Sequence, residues 1–215
     1  MAMDGMDMMD DTDTSQESKV ESRMSKVAGH RSKVESQRSE APGLRVGCGF
    51  DAHRLVAGRP LVLGGVTIPY QRGLEGHSDA DVLIHALCDA ILGAIGAGDI
   101  GRHFPDTDPR YKGISSLVLL QRVVELAHEQ GWRLVNADVT VIMQAPKIAP
   151  YVPAMIARLS EVLSPGAAIN IKGKTTEGMG FTGTGEGAAA MAVALLEQRN
   201  RRKPRTGRRG IQARS

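Results

Sequence analysis

An α+β fold is what this sequence predicts: a single domain built on a mixed sheet of about four strands, with helices packed on one face and a short β-hairpin beside it. Three observations carry the prediction. Strand-like and helix-like segments follow one another without the regular βαβ alternation that a fully parallel sheet needs. The stretch from Ser78 to Ala97 is apolar around most of a helical circumference, through Val82, Leu83, Ile84, Leu87, Ile91 and Leu92, so it reads as a central helix buried on nearly every side. Hydrophobic residues make up 41% of the chain but aromatics only 3%, with 25 glycines. The core is therefore aliphatic, with elements brought close by small residues.

Taken in order, Leu44 to Phe50 reads as a strand, and Leu61 to Leu63 with Val66 to Ile68 as short strands across a Gly64-Gly65 turn. The central helix starts at Ser78, a good N-cap, and is closed by Gly98. A Pro/Asp/Gly loop, Phe104 to Gly113, leads into a helix over Ser116 to Gln130, with Leu117, Leu120, Val124 and Leu126 at helical spacing and Gly131 as its stop. Asp138 to Met143 is a β-branched strand, Tyr151 to Leu163 a helix, Ala168 to Lys172 a strand, and the small-residue run Gly185 to Gln198 a helix.

The two ends differ from this middle. Residues 1 to 43 carry six basic and nine acidic residues with almost no large apolar ones, the composition of a disordered extension. Ser-Lys-Val recurs every seven residues at 18, 25 and 32, but Arg23, His30 and Gln37 occupy the second seam position, which argues against a coiled coil. The segment has neither the apolar run of a secretory signal nor the acid-poor composition of a transit peptide. Residues 199 to 215 hold eight basic residues and no acidic one, a basic flexible tail. The chain's net charge of +3 thus conceals a domain, residues 44 to 198, that is slightly acidic and is no general polyanion binder. No apolar run reaches the length of about 18 residues that a membrane helix needs. Cys48 and Cys88, both in apolar contexts and read as core packing, suit a reducing, cytoplasmic setting.

Chemistry enters at the central helix. Asp81, His85 and Asp89 recur on one of its faces, and a buried ionisable stripe is costly unless paired or bound to metal. His77 and Ser78 stand at the helix start, where free amides attract anions. Asp51 and His53 follow the first strand two apart; if strand geometry persists to residue 53 they point the same way, and with His85 they make two imidazoles and a carboxylate. Three protein ligands with an open fourth position is the pattern of a catalytic zinc site. By spacing alone the signal is weak, since Asp-x-His is common, and the same residues read as a turn hydrogen bond and a satisfied core histidine; the buried stripe favours the metal.

Lys172 to Gly187 is rich in glycine and threonine around Glu177. It suits phosphate contacts and a divalent ion, but it lacks the order of a Walker loop and reads as readily as a set of turns. The loop Gly98-Asp99-Ile100-Gly101 with Phe104-Pro105-Asp106-Thr107-Asp108 suits hydroxyl binding or is an ordinary Asp-Pro turn. Gln144-Ala145-Pro146-Lys147 follows a strand and can offer backbone groups and one cation. His103 and His128 read as surface residues.

Together, Gly49-Phe-Asp-Ala-His-Arg54, His77-Ser-Asp-Ala-Asp-Val-Leu-Ile-His85-Ala86, Gly98-Asp-Ile-Gly101, Phe104-Pro-Asp-Thr-Asp108, Gln144-Ala-Pro-Lys147 and Thr175-Thr-Glu-Gly-Met-Gly-Phe-Thr-Gly183 closely resemble the 2-C-methyl-D-erythritol 2,4-cyclodiphosphate synthases of the non-mevalonate isoprenoid pathway. The likeness runs from about Arg45 to Leu196, with the motifs in order; both tails lie outside it.

The resemblance implies a homotrimer with active sites between subunits. It implies conversion of 4-diphosphocytidyl-2-C-methyl-D-erythritol 2-phosphate to the cyclic diphosphate with release of CMP. Asp51, His53 and His85 match the family's zinc ligands, and Glu177 the holder of a second divalent cation, Mg2+ or Mn2+. His77, Ser78 and Phe104 to Asp108 match the methylerythritol phosphate contacts, with Asp106 and Asp108 among them. Asp99, Ile100 and Gly101 match the ribose contacts. Ala145 and Lys147, within Met143 to Ala149, and Lys174, Thr175, Thr176 and Glu177 match the cytidine and phosphate pocket; Ala52 and Phe181 complete the expected substrate contacts. His77 and Thr175 are the expected catalytic groups. Thr184 stands where some members carry Arg, which removes a cation near the trimer axis and leaves the metal site alone.

That chemistry suits the residues, because the substrate's own 2-phosphate attacks the β-phosphorus and no protein nucleophile is needed. The competing enzyme reading is a metal-dependent phosphohydrolase of a nucleoside diphosphate derivative. A nucleic-acid-binding role through the basic tail is disfavoured, since the tail has no aromatic residue to stack on bases and the domain is acidic.

Overall fold

The computed structural model describes residues 43 to 199; the extension expected over residues 1 to 43 and the tail over 199 to 215 therefore lie, but for Gly43 and Arg199, outside the described residues. The first strand, β1, runs from Leu44 to Ala57. Then come β2 (Leu61–Leu63), β3 (Val66–Ile68) and β4 (Arg72–Leu74). The central helix α1 (Val82–Ile95) is followed by a single turn, α2 (Ile100–His103), and by α3 (Ser116–Glu129). β5 (Trp132–Ile142), α4 (Val152–Ser160), β6 (Ala168–Lys174), the short α5 (Gly180–Gly183) and β7 (Gly187–Gln198) complete the chain.

The main sheet has five strands in the order β4-β1-β7-β5-β6, one more than expected, and β2 with β3 form the separate hairpin. Only β5 and β6 pair in parallel; β7 is antiparallel to both β1 and β5, and β4 to β1. The α+β expectation with one mixed sheet therefore holds.

The largest departure is β7. Gly185 to Gln198 reads as a helix because alanine is the best helix former, yet Gly187–Gln198 is a strand paired on both sides along its length. Tertiary packing overrides propensity here. Ala188, Ala190, Ala192, Ala194 and Leu196 are fully buried, whereas Met191 and Val193 are exposed. That period of two was the available signal of a strand.

Small residues are needed on that face because α1 lies directly on the sheet. On β1, a Cβ added to Gly47 would meet Ala90 O at 1.8 Å, and one added to Gly49 would meet Ala86 O at 2.0 Å. The helix backbone thus rests on the strand backbone with no side chain between them. Gly49→Ala is expected to force the two apart. Overpacking of this kind costs about 1–3 kcal/mol, seen as a fall of about 3–10 °C in Tm by calorimetry. An unchanged Tm would mean that the helix can shift freely.

Because the glycines take the helix side of β1, the alternate residues face away. Cys48, expected in the core, is exposed for this reason, while Cys88 on α1 is buried as expected. Leu44, Val46 and Phe50 of β1 are 60%, 67% and 58% exposed, with Met191 and Val193 of β7 beside them. One face of the sheet is therefore covered by helices, and the other is apolar and open.

Several element ends move by a few residues. β5 starts at Trp132, straight after Gly131, and α1 starts at Val82 with Asp81 as its N-cap, accepting the Ile84 N–H at 3.2 Å. Ser78 is thus not the cap, and α1 ends at Gly96 rather than Gly98. His103 and His128 are half-buried rather than surface groups: the first donates to Ala97 O at 2.9 Å, and Nε2 of the second lies 3.1 Å from Ser164 Oγ. Among the described residues no helix is long and apolar enough to cross a membrane.

Candidate metal centre and substrate clefts

Strand geometry persists well past Phe50, so Gly47, Gly49, Asp51, His53 and Leu55 all point to the helix side of β1. The glycines let α1 close on the strand, and where they give way to Asp51 and His53 the helix presents His85. Asp51 Oδ2 lies 2.8 Å from His53 Nε2 and 3.0 Å from His85 Nδ1, and the two ring nitrogens are 3.1 Å apart. Their side chains are 25%, 19% and 12% exposed. Three donor atoms from β1 and α1 thus face one point in a mostly dry setting.

Two neutral imidazoles and a carboxylate are the donor set of a borderline divalent ion such as zinc, and the three atoms, 2.8 to 3.1 Å apart, need to open by only about half an ångström to reach the roughly 3.4 Å between donors on a tetrahedral ion. Burial works to raise the Asp51 pKa, but hydrogen bonds and charge from His53 and His85 hold it well below the usual carboxylate range. Asp51 stays an anion. Burial likewise works to lower the pKa of His85, but the hydrogen bond and charge of Asp51 outweigh it and raise the pKa above 6.5.

A raised histidine pKa stabilises the metal-free protein below about pH 6.5, and that contribution is lost as pH rises through the folded value. A metal ion must displace the proton. Zinc is therefore expected to raise Tm little near about pH 6 and progressively more towards about pH 8. A Tm shift as large in mild acid as at the higher pH would contradict this.

The expected polar stripe does not act as one unit. Asp81 is wholly buried and turned away from the triad: Oδ1 caps α1, and Oδ2 accepts the Gly65 N–H at 2.7 Å, tying the hairpin turn to the helix start. Burial pushes its carboxyl up to about 6, against the pull of those N–H groups. Asp89 accepts the Ile100 N–H at 2.7 Å and so sets the start of α2. Only His85 of the three joins the triad.

His77 and Ser78 precede the helix by several residues, so with Asp81 capping α1 the helix start does not open at them. His77 Nε2 donates to Asp108 O at 3.1 Å, and Gly113 N–H donates to His77 O at 2.8 Å, which binds the 104–113 loop to this segment. Ser78 Oγ lies 3.1 Å from His85 Nε2. Arg59, which the sequence reading passed over, donates to Gly76 O at 3.0 Å and to Ser78 O at 2.7 Å and so holds the loop from behind. Nothing in its surroundings in sequence marks it for that task.

In the loop after α1, Asp99 caps α2 by accepting the Arg102 N–H, with Ile100 and Gly101 in that turn. Phe104 meets Tyr111 edge-on at 5.4 Å between ring centres. Asp108 is bound by the Arg110 guanidinium at 2.6 and 2.9 Å, and Asp106 is exposed. Asp106 and Asp108 remain on one loop tied to His77.

A second cleft lies apart from the triad, lined by Met143, Gln144, Lys147, Ala149, Lys174 and Thr175 among others. It is formed by the ends of β5 and β6. Ala145 lies between two of the lining residues in the chain. Thr175 Oγ donates to Glu177 at 2.5 Å, and Thr176 Oγ lies 3.0 Å from Thr182 Oγ. Ala52, His53 and Phe181 line a third recess with Glu186, whose carboxylate accepts from Thr184 at 2.8 Å.

The triad strand and β6 are three strand positions apart in the sheet, about 14 Å at the usual spacing. Both features lie at the same end of the sheet, since His53 pairs with Ala188, Ala189 with Ile142, and Ile142 with Lys174. The structure therefore brings Asp51, His53 and His85 into a candidate metal centre and Lys147, Lys174 and Thr175 into a basic cleft, and within one chain it does not merge the two.

Known proteins add to this geometry. The sequence model of the YgbB family matches residues 44–197. A 2-C-methyl-D-erythritol 2,4-cyclodiphosphate synthase from Geobacillus kaustophilus is 62% identical over 157 residues, spanning 72% of this chain and 98% of that protein. Another from Geotalea daltonii is 56% identical over 164 residues, spanning 76% of this chain and 96% of that protein. A solved structure of such a synthase in its CDP-bound form superposes with a TM-score of 0.65 at 42% identity, covering 71% of this chain and 99% of that one. The bifunctional IspDF from Campylobacter jejuni superposes with a TM-score of 0.70 at 42% identity, over 74% of this chain and 43% of that longer one. By fold and sequence, the chain belongs to the YgbB family, that of the 2-C-methyl-D-erythritol 2,4-cyclodiphosphate synthases.

Proposed function

We propose that the chain converts 4-diphosphocytidyl-2-C-methyl-D-erythritol 2-phosphate to 2-C-methyl-D-erythritol 2,4-cyclodiphosphate and CMP, as a phosphorus-oxygen lyase. The observation that carries the reading is the convergence of Asp51, His53 and His85, with all three donor atoms within 3.1 Å of one another, in a chain 62% identical to a synthase of that name.

An oxygen of the substrate's 2-phosphate attacks the β-phosphorus, and the bond from that phosphorus to the bridging oxygen breaks. CMP leaves with the bridging oxygen and its electron pair, and no water is consumed. The protein's part is to fold the substrate for in-line attack and to balance its charge. Asp51, His53 and His85 would hold Zn2+, and Glu177 a second divalent ion, Mg2+ or Mn2+. When bound, these cations supply Lewis-acid stabilisation of the charge that builds on the phosphate oxygens.

His77 and Ser78, with the loop from Phe104 to Asp108 that His77 holds, take the methylerythritol phosphate. Asp99, Ile100 and Gly101 take the ribose. Ala145, Lys147 and Lys174 take the cytidine and its phosphates, with Thr175 and Thr176 donating to the diphosphate. Ala52 and Phe181 close the recess beside His53. His77 and Thr175 are assigned as the catalytic groups that orient the reacting phosphates.

The working unit is a homotrimer, with each active site completed by a neighbour. The apolar sheet face at Leu44, Val46, Phe50, Met191 and Val193 supports this, because open apolar surface of that kind seeks cover. The separation of metal centre and basic cleft within one chain supports it too. Two unpaired thiols, Cys48 and Cys88, suit a reducing cytoplasm.

Turnover in oxygen-18 water followed by phosphorus NMR tests the reading, with metal analysis of the same sample. Unlabelled CMP, a cyclic diphosphate resonance and one zinc per chain are expected. Label in the phosphate products would show hydrolysis and overturn the cyclase in favour of a phosphohydrolase.

A further inference from the structure

The face of His85 that points away from the triad is as closely furnished as the triad itself. Its Nε2 lies 2.9 Å from Ser116 Oγ and 3.1 Å from Ser78 Oγ. Ser116 is the first residue of α3 and is fully buried; its Oγ donates to Asp79 Oδ1, and its N–H donates to Asp79 Oδ2 at 3.0 Å. Asp79 is held in turn by its own N–H, which donates to Ile114 O at 3.0 Å.

On the Nε2 side of the ring, proton bookkeeping has one consistent solution. A carboxylate only accepts, so the single hydroxyl proton of Ser116 is committed to Asp79. What Ser116 then offers His85 is an oxygen lone pair, and at 2.9 Å that contact is favourable only when Nε2 carries the hydrogen. Ser78 Oγ accepts the Ala80 N–H at 3.1 Å, so it can share the same ring hydrogen as a second acceptor. Were Ser78 to donate to Nε2 instead, the lone pairs of Nε2 and Ser116 would face each other in a nearly dry site. In the metal-free protein Nδ1 carries the hydrogen that Asp51 accepts at 3.0 Å; with the other hydrogen kept on Nε2, a cation that displaces this proton meets the Nδ1 lone pair.

We propose that Asp79 and Ser116 are positioning residues that keep a hydrogen on Nε2 of His85 and hold the ring so that Nδ1 is the nitrogen that faces the metal and gives up its proton to it. The inference rests on the reading that Asp51, His53 and His85 bind an ion. It couples the docking of α3 to that centre: if α3 moves, the Ser116 oxygen leaves and the ring is free to turn or to switch tautomer.

Two measurements on the full chain test it. Zinc affinity is taken on the metal-stripped chain by competition with a chromophoric chelator, and the His85 tautomer on the zinc-loaded chain by long-range proton–nitrogen NMR on protein labelled with nitrogen-15 histidine. Wild type is expected to bind zinc tightly and to show the Nε2–H form. Ser116→Ala should weaken zinc binding by about 10- to 100-fold, as loss of an outer partner of a metal ligand does, and should show mixed tautomers. Ser116→Thr, which keeps the hydroxyl, should restore both.

Asp79→Asn is the second variant, should alanine at 116 disturb α3; it should weaken zinc binding in the same sense. Folded variants that bind zinc within about threefold of wild type and keep the Nε2–H form would overturn the assignment, as would an Nδ1–H ring in wild type itself. Failure of wild type to bind zinc would instead remove the metal reading on which the proposal stands.

Discussion

Replacing His85 with alanine is expected to abolish CMP release while leaving a folded, assembled protein. His85 is the one donor that α1 contributes to the proposed metal site, and its Nδ1 lies 3.0 Å from Asp51 and 3.1 Å from His53. Without it, two donors on one strand remain, which is too few for a catalytic zinc site. In the proposed mechanism a metal Lewis acid would contribute several kcal/mol of transition-state stabilisation, so turnover should fall by about a thousandfold or more. The fold should persist, because the core of α1 is Val82, Leu83, Ile84, Leu87, Ile91 and Leu92 rather than the imidazole. Asp51→Asn, which changes charge but hardly size, should behave alike. The measurements are single-turnover CMP release, zinc content and sedimentation on the same samples. Near-wild-type turnover from a variant with no bound zinc would remove the metal from the chemistry altogether.

Val193→Glu should have an effect of similar size by a different route. Val193 is 41% exposed and pairs with Cys48, on the apolar face where Phe50 pairs with Met191. If that face is covered by copies of the same chain, one substitution places a charge from every copy in a shared apolar interior, and desolvating unpaired charge is very costly. The variant is expected to sediment as a monomer and to lose turnover, since the basic cleft at Lys147 and Lys174 would no longer meet a neighbour's metal centre. Zinc affinity should stay near wild type, because the triad is built within one chain. A wild-type protein that sediments as a monomer at micromolar concentration, or a Val193→Glu protein that remains assembled and active, would sink the idea.

Both experiments draw on features that differ in how openly the sequence displays them. The Asp51-x-His53 pair is legible because a strand repeats every two residues, and β1 keeps that repeat to Ala57. The hairpin at Leu61–Leu63 and Val66–Ile68 is legible from its Gly64-Gly65 turn, and both strands stand where expected. α4 and β6 are legible in kind but not in their ends. β4 is only three residues long and offers no pattern to read.

β7 fails for a physical reason: alanine's local preference is helical, and the demand for small side chains beneath α1 is a property of another segment more than ninety residues away, visible at Gly47 and Gly49 as well. The same is true of Ser78, whose local chemistry suits an N-cap although the chain enters the helix three residues later, at Asp81.

What the sequence determined by itself is what short windows encode: the apolar α1, the parity that aims Asp51 and His53 to one side, and six motifs whose order marks the family. What only the tertiary structure decided is which distant groups meet. Ser116 stands 31 residues from His85 and 37 from Asp79, and no local periodicity relates them. Their hydrogen bonds exist because α3 packs on α1 in one register, and that register is chosen by the fit of whole faces rather than by any neighbouring residue.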